Sequence, residues 1–496
     1  MASKTPSIRA LSRYLLRPQA PHSHCQHQRK QYSAAAAGAR LNGTVEYDTT
    51  PILNHTSKST LANPELPAEI RKGQTKRINL YTAVNEALRH ALQTDERVLV
   101  FGEDIQFGGV FRCTMNLAAD FGTERVFNTP LSEQGLVGFA VGAAAEGMRP
   151  VAEIQFADYV FPAFDQIHNE VAKYRYRSGS TGANCGGLVI RMPSGSVGHG
   201  ALYHTQSPEA LFTHTPGLRV VIPRSPIQAK GLLLSAIRCN DPVIFMEPKI
   251  LYRAAVEQVP VDAFHLPLDK AEVIKPGKHV TIISYGTPLY TCSAAIAAAE
   301  KDFGCSVELI DLRTIYPWDR ETVLNSVKKT GRAIVVHESM MNAGVGAEVA
   351  ATIQEKAFLR LEAPVKRVAG WATHTGLMFE QFIIPDVTPS HVMVHHSLAH
   401  STPFYIVSHL TVVQTLSFVA LLYGHTCLAL YTTSSNFSFS IPRTLTNNST
   451  LNPISKSFID PTKCTVLSTT LSSGFEGILT PSVGATAFMA DWKHAP

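Results

Sequence analysis

Glu133 stands almost alone: in NTPLSEQGLVGFAVGAAAEG, residues 128–147, the next charged side chain is Glu146. The rest is mostly Gly, Ala, Val, Leu and Phe, a composition that predicts a helix packed at close range, because Gly and Ala let backbones approach. Glu133 falls in its first turn. A carboxyl group there has two uses. Shielded from water, its pKa rises and it can share a proton with a nitrogen base. Alternatively it complements the positive end of the helix dipole, with Ser132 as cap. The residue pattern alone supports both readings.

Other groups could do chemistry. His199, His204 and His214 lie in GHGALYHTQSPEALFTH. Their spacings do not give the i, i+4 pair of a helical zinc site, so zinc is not indicated. Imidazole moves protons near neutral pH. Tyr159, in FADYVF, ends an apolar strand, where an aromatic either fills the core or stands against a flat ligand. The eight cysteines are scattered without a CxxC pair. That argues against a zinc ribbon or a disulfide framework and fits free thiols in a reducing compartment.

The elements that must position these residues alternate. INLYTAVNEALRHALQTDERVLVFGEDI predicts a helix carrying Val84, Leu88 and Leu92, then an apolar strand. VAEIQFADYV predicts a strand, and FPAFDQIHNEVAKYRYRSG a long helix with Pro162 near its start and Gly179 as its stop. GLVIRMP, RVVIP and PVIFMEP alternate with the helix SPIQAKGLLLSAI. A connector at roughly 255–275 separates a second series: HVTIISYG, LYTCSAAIAAAEKDF, SVELIDLR, DRETVLNSVKK, RAIVVHE and the helix after NAGVGAE. Strands alternating with helices of this length predict an α/β fold of two domains, each with a parallel sheet and right-handed crossovers.

The ends differ. Residues 1–32 are rich in Arg and Ser, contain no acid, and place Ile8, Leu11, Leu15 and Leu16 at helical spacing, the pattern of a mitochondrial transit peptide. A cut there removes six basic residues and turns the formal net charge of +5 slightly negative. Bulk charge therefore gives no reason to expect nucleic-acid binding. Residues 33–75 read as a linker or disordered arm, with order beginning near Arg77. From Thr388 the chain turns rich in Ser, Thr, Asn and His, and 404–431 carries no charge.

Five segments in order, FGEDIQFGGVFRCT, RVFNTPLSEQGLVGFAVGAA, AEIQFADYVFPAFDQI, GHGALYHTQSPEALFTHTPGLRVVIPRSP and DLRTIYPWD, closely resemble the beta subunits of branched-chain 2-oxo acid dehydrogenases. The match runs from about Lys76 to Val387. The resemblance implies two transketolase-like domains, a pyrimidine-binding one at 76–255 and a C-terminal one at 270–387, assembled with two alpha subunits as a heterotetramer in the mitochondrial matrix. It implies thiamine diphosphate as cofactor and 3-methyl-2-oxobutanoate dehydrogenase activity, with acyl transfer to lipoyl-lysine of an acyltransferase core. On the matching positions Glu133 would activate the cofactor, Leu131 and Tyr159 would line the aminopyrimidine pocket, and His204 would be the active-site histidine. His199 and His214 would be structural. A potassium site made mostly of backbone carbonyls would comprise Gly186, Leu188, Val189, Ala236, Cys239 and Asp241. Such sites also need magnesium and diphosphate held by GDG and a later Asn; no GDG occurs, so the alpha subunit is expected to supply that half.

Two rivals remain. Pyruvate dehydrogenase beta subunits share the fold, but their motifs read closer to DTPITEMGF and AAQHSQ than to NTPLSEQGL and ALYHTQSPEA. A membrane-tethered, non-catalytic assembly subunit would use 404–431, which is long enough to span a bilayer at about 20 residues per crossing. His409, Gln414, His425 and the lack of a basic flank argue against it. The tail 388–496 replaces the family's terminal helix and reads as translated intron or frame-shifted sequence, leaving the second domain incomplete.

Overall fold

The computed structural model describes residues 45–377 and Ile384. The transit peptide read in 1–32 and the tail 388–496, including the uncharged run 404–431, lie outside the described residues.

Strand β1 (Thr75–Asn79) leads into helix α1 (Leu80–Thr94), where the Asn79 side chain accepts a hydrogen bond from Thr82 N at 3.0 Å and caps the first turn. Leu80, Ala83, Val84, Ala87, Leu88 and Ala91 then recur at helical spacing and are buried. The first half continues through β2 (Val98–Gly102), β3 (Val126–Asn128), α2 (Glu133–Ala145), β4 (Arg149–Glu153), β5 (Val189–Ser194), β6 (Arg219–Val221), α3 (Pro226–Arg238), β7 (Val243–Pro248) and β8 (Val256–Pro260). The second half holds β9 (Glu272–Lys275), β10 (Val280–Ser284), α4 (Pro288–Phe303), β11 (Val307–Asp311), β12 (Thr314–Tyr316), α5 (Arg320–Thr330), β13 (Ala333–Met340), α6 (Val345–Ala357) and β14 (Lys366–Gly370).

Two larger sheets result, ordered β12-β6-β7-β5-β4-β2-β3 and β14-β13-β10-β11-β9, with β1 and β8 forming a separate antiparallel pair. Their central strands are parallel and buried on both faces, which is why they read as unbroken apolar runs. One edge of each sheet is antiparallel, while β3 and β14 at the other edges are parallel to their neighbours. β9 runs antiparallel to β11, and β12 leaves the second half of the chain to pair antiparallel with β6. Three-residue β12 thus ties the two halves together.

Two expectations need correction. The helix expected in FPAFDQIHNEVAKYRYRSG is broken into a 3-10 turn at Phe161–Ala163, a π-helix at Gln166–Val171 and a short α-helix at Tyr174–Ser178. Ile167 and Val171 still face the core, but the wider π turn interrupts the 3.6-residue period on which the expectation rested. The arm is also ordered well before Arg77. Tyr47, Ile52, Leu53, Leu66 and Ile70 are buried, and the Tyr47 ring lies 5.0 Å from that of Tyr290. Glu65 grips the buried Arg313 guanidinium through two bonds of 2.6 and 2.9 Å. These apolar residues lack periodicity because they follow an irregular path across both halves.

Candidate active site

α2 begins where expected. Ser132 Oγ accepts from Gly135 N at 3.4 Å, and Glu133 occupies the first helical position. Leu136, Val137, Ala140, Val141 and Ala144 face the core. The opposite face, with Gly138, Phe139 and Gly142, is open, and a side chain added at Gly138 or Gly142 would meet nothing within 4 Å. Glu133 itself is half-buried, not enclosed as its apolar neighbours in the sequence lead one to expect.

Beside it, at the end of β2, lies a carboxylate that the sequence reading missed. Glu103 is buried, and its Oε1 has no hydrogen-bond partner. Removal from water, and then the charges of Glu133 and Asp104, push its pKa up. A strand-end acid directly after VLVFG was the available signal.

Tyr159 sits in a 3-10 turn just after β4, the turn Ala157–Tyr159. Burial, followed by the charges of Asp158, Glu103 and Glu133, raises the pKa of its hydroxyl. Its oxygen stands 2.9 Å from His204 Nε2. Phe156 joins them, its ring 5.3 Å from Tyr159 and 4.8 Å edge-on to His204. The structure therefore brings Tyr159 against His204, with Tyr159 within the electrostatic reach of Glu103 and Glu133. Leu131, just before the helix, is 85% exposed. His199 and His214 are exposed, and His214 lines a cleft of about 980 Å³ between the two halves, whose wall also includes Leu202, Thr205 and Gln206 from either side of His204.

The segments expected to bind potassium do meet: a Cβ on Gly186 would fall 1.8 Å from the Asn240 carbonyl oxygen. Several expected ligands already have partners. Leu188 O accepts from Val243 N at 2.9 Å, Ala236 O from Cys239 N at 3.2 Å, and Cys239 O from the Arg149 guanidinium at 3.3 Å. The Asp241 carboxylate is paired with Arg175 and Arg219.

Comparison with known proteins gives this arrangement its context. Residues 76–255 match the family profile "Transketolase, pyrimidine binding domain" and 269–388 match "Transketolase, C-terminal domain". The chain is 67% identical over 392 residues to the mitochondrial 2-oxoisovalerate dehydrogenase subunit beta of Chaetomium thermophilum, covering 77% of this chain and 83% of that one. It is 57% identical over 323 residues to the protein of the same name from Dictyostelium discoideum, covering 65% and 87%. A pyruvate dehydrogenase E1 component subunit beta from Staphylococcus epidermidis is more distant, at 47% over 293 residues, covering 59% and 89%. Among solved structures, a split-gene transketolase described as an inactive beta4 tetramer shares the fold with a TM-score of 0.51 at 24% identity, covering 62% of this chain and 92% of that one. The chain belongs to the 2-oxoisovalerate dehydrogenase beta-subunit family.

Proposed function

We propose that this chain, with an alpha subunit, carries out thiamine-diphosphate-dependent oxidative decarboxylation of branched 2-oxo acids in the mitochondrial matrix and passes the acyl group to lipoyl-lysine of an acyltransferase core. The observation that carries this reading is the 2.9 Å approach of Tyr159 to His204, with the Glu133 charge felt at Tyr159, in a chain 67% identical to a named 2-oxoisovalerate dehydrogenase beta subunit.

The residues suit the pyrimidine end of the cofactor. An unpartnered Glu103 oxygen, the half-buried Glu133 carboxyl and the aromatic Tyr159 combine proton-sharing groups with a flat apolar wall. Glu133 would share its proton with a ring nitrogen of the aminopyrimidine, while Tyr159 and Leu131 would line the ring. When bound, thiamine diphosphate supplies the nucleophilic thiazolium carbon needed for decarboxylation. His204 would hold or deliver a proton at Nε2, with the Tyr159 hydroxyl fixing its orientation.

Magnesium and diphosphate are assigned to the alpha subunit. The sequence has no GDG, the motif expected to hold them. We assign potassium to the carbonyls of Gly186, Leu188, Val189, Ala236 and Cys239, each oxygen having a second lone pair to offer. Asp241 would contribute through its backbone carbonyl, its carboxylate being held by two arginines. The potassium assignment predicts greater thermal protection by potassium chloride than by sodium chloride at equal ionic strength.

The substrate is tested by assaying the enzyme reconstituted with its alpha subunit on 3-methyl-2-oxobutanoate and on pyruvate. Preference for the branched acid is expected, and a clear preference for pyruvate overturns the assignment.

A further inference from the structure

His204 is carried on a loop, residues 195–206, whose neck is closed by a 3.0 Å bond from Gly195 N to Gln206 O. Two carboxylates hold that neck from opposite halves of the chain. Asp158, the neighbour of Tyr159, accepts from the N–H groups of Thr205 at 3.1 Å and Gln206 at 3.0 Å. Glu338, near the end of β13 in the second half, accepts from the N–H of Ser196. Gly195 has φ +81°, a conformation that favours glycine, and a Cβ there would lie 2.8 Å from Glu338 Oε1. Lys249 lies between the two acids. Its ammonium is 3.8 Å from Asp158 Oδ2, its charge favours the ionised form of Glu338, and its backbone N–H bonds Ser194 O at 3.0 Å. Within the loop, Ala201 holds a left-handed φ of +53°, a conformation that a non-glycine residue keeps where its surroundings impose it.

We propose that Glu338 is a positioning residue for His204: from the second domain it ties down the neck of the histidine's loop, so the placement of His204 against Tyr159 depends on the charge of a residue far away in the chain. The proposal rests on the reading of His204 as the active-site histidine. Glu338 is half-buried on the wall of the cleft between the halves. Its removal from water raises its pKa to about 7, opposed by hydrogen bonds from Ser196. The groups facing it are Glu209, which raises it further, Lys249, which lowers it, and the hydroxyls of Tyr285 and Tyr47. An ionised acceptor binds an N–H more strongly than a neutral one. The clamp therefore tightens as pH rises through neutrality.

The test uses the full chain reconstituted with its alpha subunit. Hydrogen exchange of the peptide 195–206, corrected for intrinsic rates, should slow about five- to tenfold in the wild type between pH 6 and pH 8, and Glu338→Gln should abolish that difference. This wild-type comparison decides the clamp even if the variant fails to assemble. In steady state, Glu338→Gln should lower kcat for transfer to the lipoyl group several-fold at pH 8 but little at pH 6, and should cause no further loss in a His204→Ala background. A pH-independent loss, additive loss with His204→Ala, or unchanged exchange overturns the proposal. Near-normal turnover of His204→Ala sinks the histidine reading itself, and this role with it, a failure distinct from loss of the exchange effect.

Discussion

The Tyr159 hydroxyl stands 2.9 Å from His204 Nε2, and its raised pKa keeps it protonated at neutral pH. It can donate to neutral imidazole or accept from imidazolium, so it orients the ring in either state. Tyr159→Phe keeps the aromatic wall and removes the hydroxyl. Transfer to the lipoyl group should slow about five- to tenfold, the worth of about 1 kcal/mol for one hydrogen bond. Cofactor affinity should change little. Comparing overall turnover with decarboxylation measured by an artificial electron acceptor checks this, and an equal fall in both rates would refute the orienting role.

Glu133→Gln separates the two readings open to that residue. As a helix-dipole partner alone, its charge contributes about 0.3–1 kcal/mol, and the amide should cost stability without costing turnover. As a proton-sharing group it should be needed for the reaction, and the variant should lose at least about 100-fold in decarboxylation. Thermal melting and turnover of the assembled enzyme, measured together, decide between them. We expect assembly to survive and turnover to collapse.

Much of this organisation was legible in the sequence, for identifiable reasons. α1 and α2 announce themselves through apolar residues at helical spacing, and α2 also through Ser132 as cap. The central strands do so through unbroken apolar runs. What escaped notice depends on partners distant in the chain. Nothing near Glu338 indicates that it bonds Ser196, 142 positions away, and nothing near Glu65 points to Arg313, 248 positions away. The π-helix at Gln166–Val171 also escaped, because Ile167 and Val171 keep the i, i+4 spacing of an ordinary helix while the hydrogen bonds change register. At the candidate site, Glu133, Tyr159 and His204 were visible as residue types in motifs. Glu103 and Asp158 gain meaning from what they face.

The grip of Glu65 on Arg313 predicts that the arm contributes to stability. Arg313 is fully buried, and its other guanidinium contact is a 2.9 Å bond to Lys270 O. Removing one member of a buried pair costs about 3–5 kcal/mol, and Glu65 is partly exposed, so about 2 kcal/mol is the expected loss for Glu65→Gln. Denaturant unfolding of the variant measures it. A loss below about 0.5 kcal/mol, the level of a surface ion pair, would mean the arm is merely laid on the surface.

His337 and Glu338 are adjacent on β13 and titrate in opposite senses. Burial, reinforced by Arg367, lowers the His337 pKa to about 4, although its bond to Ser339 O opposes the shift. The folded chain therefore binds fewer protons there than the unfolded chain between about pH 4 and 6.5, and stability falls as pH drops through that window. At pH 5 the loss is about 2 kcal/mol relative to pH 7, from about 1.4 kcal/mol per pKa unit. Glu338, raised to about 7, has the reverse effect: the folded chain holds its proton where the unfolded chain has lost it, so acidification from pH 7 towards 4.5 stabilises the fold. In the wild type the two largely offset one another. His337→Asn, which can still bond Ser339 O, should therefore gain stability between pH 7 and pH 5, while Glu338→Gln should lose it. Unfolding free energies measured at both pH values for all three proteins give the slopes. Parallel slopes would show that neither group titrates differently in the folded chain.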